Sequence, residues 1–270
     1  MELLGWLNLA FVVGLTLISG AINCRRKEAD QQWNLLWKLL AVSTPFVLIT
    51  KSVVDSLKYL MPIKEDLYFF YADRLLGQPS FRVGQFLQGH PSLGNACLIA
   101  YVLLPIPAFV LAALYAFTQS PIVTRVYVRT LLLNGCLCIP LYLAFPVAGP
   151  CYAFAGFPWI IPEVVSPHSV TFAAIPNGFP SVHTSTALLL LHFASRWKVG
   201  AVVAFINLVL VLLATLGTGE HYGIDLFAGA VYAACVIWIG SEENVSVHER
   251  AVLVSREGVF RGPTSGEAVS

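Results

Sequence analysis

The chain has 270 residues, of which 57% are hydrophobic and only 11% are charged. Its mean hydropathy of +0.74 is far above that of a soluble domain, so we expect an integral membrane protein. A net charge of +1 without a basic run argues against a nucleic-acid partner, and six scattered cysteines predict neither a disulfide framework nor a thiolate metal site.

Seven apolar segments follow one another along the chain, and most have the length of about 20 residues that a helix needs to cross a bilayer. They run over residues 2–22, 39–58, 93–118, 126–148, 181–196, 199–218 and 222–240. The pattern predicts an all-α bundle of about seven transmembrane helices, which forms a single domain over residues 1–240. Residues 241–270 are polar and lack a core pattern, so we expect a mobile tail.

Basic residues lie in the short connections after the first, third and fifth segments, at 25–27, 125–129 and 196–198. Connections after odd-numbered spans fall on one side of a membrane, and basic loops mark the cytoplasmic side. The tail is then cytoplasmic as well. The connections before the fifth and seventh segments face the extracytoplasmic side, which is periplasmic or lumenal.

Two longer connections are predicted on that extracytoplasmic side. Residues 59–92 include KEDLYFFYADRLLG, whose mixture of aromatic and charged residues is typical of a helix in the membrane interface. Residues 149–180 are apolar, contain no Lys or Arg, and have Glu163 as their one charged residue. This second connection is either a lid over a lipid site or an ordinary re-entrant segment.

Two short stretches place ionisable residues at the same side. The stretch IPNGFPSVHTS at 175–185 puts His183 at the start of the fifth segment, and GTGEHYGIDLFAG at 217–229 puts His221 and Asp225 at the start of the seventh. The 38 positions between the histidines allow one crossing and one return, so we expect both at the same depth. Ionisable groups that converge inside a membrane protein indicate a functional site.

Two histidines and a carboxylate suit phosphoryl transfer that needs neither a metal nor a cofactor. His221, kept neutral by Asp225, can attack phosphorus, and His183 can give a proton to the leaving oxygen. Ser181 stands at a helix-cap position and the amide of Val182 follows it, so both are candidates to bind phosphate. The alternatives are a histidine bound to a neighbour at the helix mouth and a structural His–Asp pair.

The segments Pro-Ser-Val-His at 180–183 and His-Tyr-Gly-Ile-Asp at 221–225 resemble the paired signatures of the type 2 phosphatidic acid phosphatase superfamily. In their surroundings they are similar to the inositol phosphorylceramide synthase branch. The resemblance implies a six-helix phosphatase core, here with an extra amino-terminal helix. It also implies that His221 is the nucleophile, that His183 is the general acid and that Asp225 orients His221.

The chain departs from that family pattern in two elements of the motifs. Val182 stands where the family has glycine, which leaves the amide in place. The Ser-Arg pair expected before the second histidine falls on Ala214 and Thr215, so one phosphate-binding arginine is missing.

Another cation must therefore neutralise the phosphate. An early family element with Lys, six residues, Arg and Pro has a loose counterpart in Lys51 and Lys58, which have that spacing. Arg74 in the first outer connection is the third candidate, ahead of Lys64 and Arg82. The alternative for each is a side chain that merely extends to the interface.

We therefore expect a membrane enzyme that removes the phosphoryl group of a lipid phosphate or diphosphate, or transfers it to an alcohol or polyol. The alternatives are a head-group transferase like inositol phosphorylceramide synthase and, from another class, a proton-coupled transporter with the same three side chains as its relay. A haem or metal site is a weaker rival, because the cluster offers too few ligands.

Overall fold

The computed structural model of the chain describes residues 29–119 and 121–241. The first predicted span at 2–22, the basic cluster at 25–27 and the predicted tail beyond Ser241 lie outside the described residues.

The described residues form ten helices and one small sheet. The helices are α1 (Ala29–Leu60), α2 (Asp66–Arg74), α3 (Pro79–Gly89), α4 (Pro91–Val102), α5 (Pro105–Thr118), α6 (Pro121–Ala144), α7 (Pro150–Ala153), α8 (Val182–Ala194), α9 (Lys198–Gly217) and α10 (Gly223–Gly240). The strands β1 (Ile63–Lys64) and β2 (Val170–Thr171) pair antiparallel. The mostly helical architecture predicted from the sequence is confirmed.

Prolines explain where many of these helices begin. Five of the described helices, α3 to α7, start at a proline, which lacks the N–H that the first turn leaves unused anyway. Between α4 and α5 the axis bends by 52°, because Pro105 cannot continue the hydrogen-bond ladder of the preceding turn.

Three helices of the described chain are long and apolar enough to cross a membrane, namely Val123–Ala144 within α6, α9 and α10, and the bent pair α4–α5 can form a fourth span. Helix α8 has 13 residues and is shorter than a full crossing, and the predicted segment 181–196 is also shorter than about 20 residues. Helix α1 is 32 residues long, carries four charged residues between positions 38 and 58, and is not among these candidate spans of the described residues. The count of seven spans therefore stays a prediction.

The core of the bundle forms around the hairpin of α8 and α9, which pack against each other. Helix α8 also packs against α10 and α6, and helix α9 also packs against α4 and α3. Asn134 in α6 joins three of these helices. Its side chain bonds to Ser185 and Thr186 of α8, and its carbonyl accepts the hydroxyl of Tyr232 in α10. Such bonds stabilise helix contacts where no water can replace them.

Helices α2 and α3 and residues 145–180 pack together as one layer, which we call the cap. Phe70 of α2 and Phe81 of α3 are fully buried, and both contact Phe154. Phe157 packs edge-on against Phe81. The segment 64–77, predicted as an interfacial helix, forms α2 over Asp66–Arg74, and α3 follows it at Pro79. Both helices bury one face against residues 145–180.

Candidate active site

The two histidines meet at the end of the bundle that the cap covers. The centroids of the His183 and His221 rings are 6.1 Å apart. His221 is buried, with 2% of its surface exposed, whereas His183 is partly exposed. The predicted convergence of the two histidines is confirmed, because α8 and α9 run down and back between them.

The carbonyl of Gly178 holds the ring of His221. Nδ1 of His221 lies 2.7 Å from that oxygen. A carbonyl can only accept, so Nδ1 must carry the proton and Nε2 keeps its lone pair. This tautomer presents Nε2 as a nucleophilic nitrogen.

Asp225 lies beside His221 but does not hold its ring by a hydrogen bond. Its Oδ2 is 3.6 Å from Nδ1 of His221 and accepts the amide of Tyr222 at 2.7 Å. The reason is where the helix starts: α10 begins at Gly223, so His221 precedes it and Asp225 folds back to cap its own first turn. The carboxylate thus faces the imidazole as a neighbouring charge, while a main-chain oxygen makes the hydrogen bond.

Ser181 caps α8, as the sequence predicts. Its hydroxyl accepts the amide of Thr184 at 3.3 Å, and its own amide donates to the carbonyl of Asp225 at 3.1 Å. Gly229 permits this close approach of α8 and α10, because a Cβ there would come within 2.6 Å of the Ser181 carbonyl. Val182 begins the helix beside His183, and phosphate binding by its amide stays a prediction.

Two aspartates of α2 support the site, and the sequence analysis missed both. Asp73 accepts the amide of Ile224 at 3.1 Å at the start of α10. Asp66 accepts the amides of Ala148 and Gly149 at 3.1 and 2.7 Å, and the hydroxyl of Tyr222 at 3.2 Å. The signal available in the sequence was their spacing, since positions 66 and 73 fall on one face of a helix.

Burial shifts the pKa values of the ionisable residues around this part of the site. It raises the pKa of Asp66 to about 6, although the two amide hydrogen bonds work in the opposite direction. It also raises the pKa of Asp73. Burial lowers the pKa of the fully buried Lys64, while nearby Asp66 opposes that shift.

The described contacts of the three cation candidates are with residues other than the two histidines. Lys51 forms an exposed ion pair with Asp55, and Lys58 lies 4.8 Å over the ring of Tyr59. Arg74 is exposed at the end of α2. No described hydrogen bond, ion pair or ring contact joins any of these three to His183 or His221, and their role in phosphate binding stays a prediction.

A tyrosine that the sequence did not single out completes the site. The ring of Tyr101 in α4 stacks on His183, and its hydroxyl donates to Glu220, the residue before His221. Nothing in the local sequence marks Tyr101, because α4 lies 82 positions before His183 and meets it only through the packing of the bundle.

Comparison with known proteins identifies a family for this chain. The family model described as the PAP2 superfamily matches residues 68–239, which is more than half of the chain. No curated protein and no solved structure matches the chain.

Proposed function

The chain belongs to the PAP2 superfamily, the type 2 phosphatidic acid phosphatases, and on that premise we propose that it cleaves a lipid phosphate or diphosphate through a phosphohistidine on His221. Membership supports a phosphoric ester hydrolase or phosphotransferase in general. The observation that carries the finer proposal is the tautomer of His221, whose Nδ1 is bonded to the Gly178 carbonyl.

In the first step, Nε2 of His221 attacks phosphorus, and the bond from phosphorus to the lipid oxygen breaks. His183 gives its proton to that oxygen as it leaves. Asp225, 3.6 Å from Nδ1, stabilises the positive charge that develops on the imidazole of His221.

In the second step, a water molecule or an alcohol attacks the phosphohistidine. His183, now neutral, takes the proton of the attacking hydroxyl, and His221 leaves as the neutral imidazole. Water gives free phosphate and an alcohol gives a new phosphoester, so one site serves hydrolase and transferase alike.

An apolar groove beside the motifs supports a lipid substrate. It is lined by Phe179 and Pro180 before Ser181, by Leu141 of α6, and by Ile224 and Phe227 of α10. Phe227 is 72% exposed and therefore faces the surroundings of the bundle. An acyl or prenyl chain in this groove leaves its phosphate beside the two histidines.

The test is turnover of a panel of lipid phosphates and diphosphates by the detergent-solubilised protein, with and without glycerol and inositol. We expect release of phosphate from at least one lipid, and a chelator should leave the rate unchanged. A new phospholipid formed only with a polyol assigns transferase activity, including the activity of an inositol phosphorylceramide synthase. No turnover of any lipid phosphate contradicts the proposal.

We also propose that the site faces the extracytoplasmic side, because the basic residues Arg196 and Lys198 lie at the opposite end of α8. A cysteine introduced at Ser166 should react with an impermeant reagent in intact cells, after removal of the native reactive cysteines. A cysteine at Ser195, which is equally exposed at the other end, should not. The reverse labelling pattern places the site in the cytoplasm.

A further inference from the structure

Tyr101 lies flat against the candidate general acid. The centroids of the Tyr101 and His183 rings are 3.9 Å apart, with 23° between the ring planes. Tyr101 is 7% exposed, and its place in α4 is fixed by packing against α9. The face of an imidazole is thus covered by a phenol that cannot easily move.

The hydroxyl of the same tyrosine reaches the other half of the site. It donates to Oε2 of Glu220, and Glu220 is followed directly by His221. Tyr101 therefore contacts one histidine with its ring and is tied through its hydroxyl to the residue beside the other. This bridge links the two histidine-bearing segments through one side chain.

The stack matters because His183 has little else to orient it. Among the residues that the structure describes, no hydrogen bond is formed by either ring nitrogen of His183. Its described ring contacts are those with Tyr101 and His221. The nitrogen that must deliver a proton is therefore aimed by packing against Tyr101.

We propose that Tyr101 and Glu220 are positioning residues that aim His183 at the leaving oxygen. The inference rests on the proposed function, since it assigns a cause to the general acid of that reaction. An aromatic face is electronegative and attracts a cation stacked on it. The carboxylate of Glu220 fixes the phenol through the hydrogen bond that it accepts from the Tyr101 hydroxyl.

The proposal predicts a loss that depends on the leaving group. A lipid alkoxide needs a proton to depart, whereas a nitrophenolate leaves without one. A change that acts through His183 must therefore slow the lipid phosphate more than the nitrophenyl phosphate. General damage to the fold slows both equally.

The experiment measures kcat/KM for phosphatidic acid and for nitrophenyl phosphate in detergent, because kcat/KM reports the step in which the leaving group departs. Tyr101→Leu removes the stack and should lower the value for phosphatidic acid about 100-fold, and for nitrophenyl phosphate less than about 5-fold. Tyr101→Phe keeps the ring but loses the bond to Glu220 and should cost about 10-fold on the lipid. Glu220→Gln keeps an acceptor but loses the charge, and should cost about 3-fold on the lipid.

The matched control is Tyr127→Phe. Tyr127 is buried, stacks on Tyr115 with 12° between the planes, and donates its hydroxyl to the carbonyl of Ala108. It has no described contact with the histidines, so this variant should keep the wild-type values for both substrates. If Tyr101→Leu does not fold, Tyr101→Phe and Glu220→Gln test the proposal through the same comparison of the losses in kcat/KM for the two substrates.

Equal losses on both substrates, or no loss on phosphatidic acid, overturn the inference while the proposed function stands. A wild-type protein without turnover of any lipid phosphate in the panel, or a His221→Ala protein that retains turnover, overturns the proposed function and the inference with it.

Discussion

The two ends of the bundle bury their tyrosines in different ways. At the end that carries Arg196, Tyr115 and Tyr127 stack with their ring centroids 5.2 Å apart. The hydroxyl of Tyr115 donates to the carbonyl of Phe193, and that of Tyr127 donates to the carbonyl of Ala108. Both hydroxyls therefore donate to neutral main-chain groups.

At the histidine end, two buried tyrosines instead donate to carboxylates. The hydroxyl of Tyr101 bonds to Glu220, and that of Tyr222 bonds to Asp66 at 3.2 Å. The ring of Tyr101 stacks on an imidazole, where that of Tyr127 stacks on another phenol.

The difference distinguishes tyrosines that contact only neutral acceptors from tyrosines that contact groups able to gain or lose a proton. A main-chain carbonyl satisfies a hydroxyl but cannot gain or lose a proton, so the basic end only stabilises the fold. Carboxylates and imidazoles are costly to bury, and they respond to proton transfer. Matched substitutions at the two ends should therefore have unequal consequences.

The largest contrast is expected between two histidines. His221→Ala removes the attacking nitrogen and should lower turnover at least about 10⁴-fold, because no phosphohistidine can form. His192→Ala, at the exposed basic end, should keep wild-type turnover. Rapid quenching with a ³²P-labelled substrate should give an acid-labile label on the wild-type and His192→Ala proteins alone. Turnover by His221→Ala removes the mechanism.

His183 should show its role through the leaving group. His183→Gln should lower kcat/KM for phosphatidic acid by about 10²- to 10⁴-fold, since the alkoxide departs without a proton donor. The value for nitrophenyl phosphate should change little. If His183→Gln is inactive on both substrates and His221→Ala is rescued by the nitrophenyl ester, the roles of the two histidines are exchanged.

Asp225→Asn should have an intermediate effect. The amide oxygen can still accept the Tyr222 amide and cap α10, so the fold is kept. Loss of the negative charge weakens the support of the charged imidazole, and we expect turnover of both substrates to fall about 100-fold. Circular dichroism of the variant should match the wild type, and a full-rate variant contradicts this role for Asp225.

Asp66 should make the free energy of unfolding depend on pH. Its folded-state pKa of about 6 lies above the usual value of 3.8, so the folded protein binds this proton more tightly than the unfolded chain. The contribution to stability is complete below about pH 4 and is lost as pH rises through about pH 6, by up to about 3 kcal/mol.

Unfolding of the detergent-solubilised protein should be compared at about pH 4.5 and about pH 7.5. Asp66→Asn should flatten the pH dependence. Equal slopes for the wild type and Asp66→Asn contradict the assignment.

The smallest contrast concerns two serines of α8. Ser181→Ala removes the cap at the histidine end and should lower the free energy of unfolding by about 1 kcal/mol. Ser195 is exposed and donates to the carbonyl of His192, so Ser195→Ala should change it by less than about 0.5 kcal/mol. Thermal unfolding in detergent measures both, and equal losses contradict a special role for the cap.

The sequence by itself determined the helical class, most of the helix positions and the central members of the site. His183, His221 and Asp225 could be found because local motifs carry them, and because helix length sets the depth at which a hairpin returns. The cap at Ser181 was also local, since a serine before an apolar run satisfies the first amides of a helix.

Only the tertiary structure decided what surrounds those residues. Gly178 holds His221 through a main-chain oxygen, and no pattern of side chains in the sequence predicts such a contact. Tyr101 and Asp66 lie in helices far away in the chain, and their partners depend on how α2 and α4 pack against α9 and α10. Hydrogen bonds act over about 3 Å, while a motif specifies only its neighbours in the chain, so contacts between distant segments are set by packing.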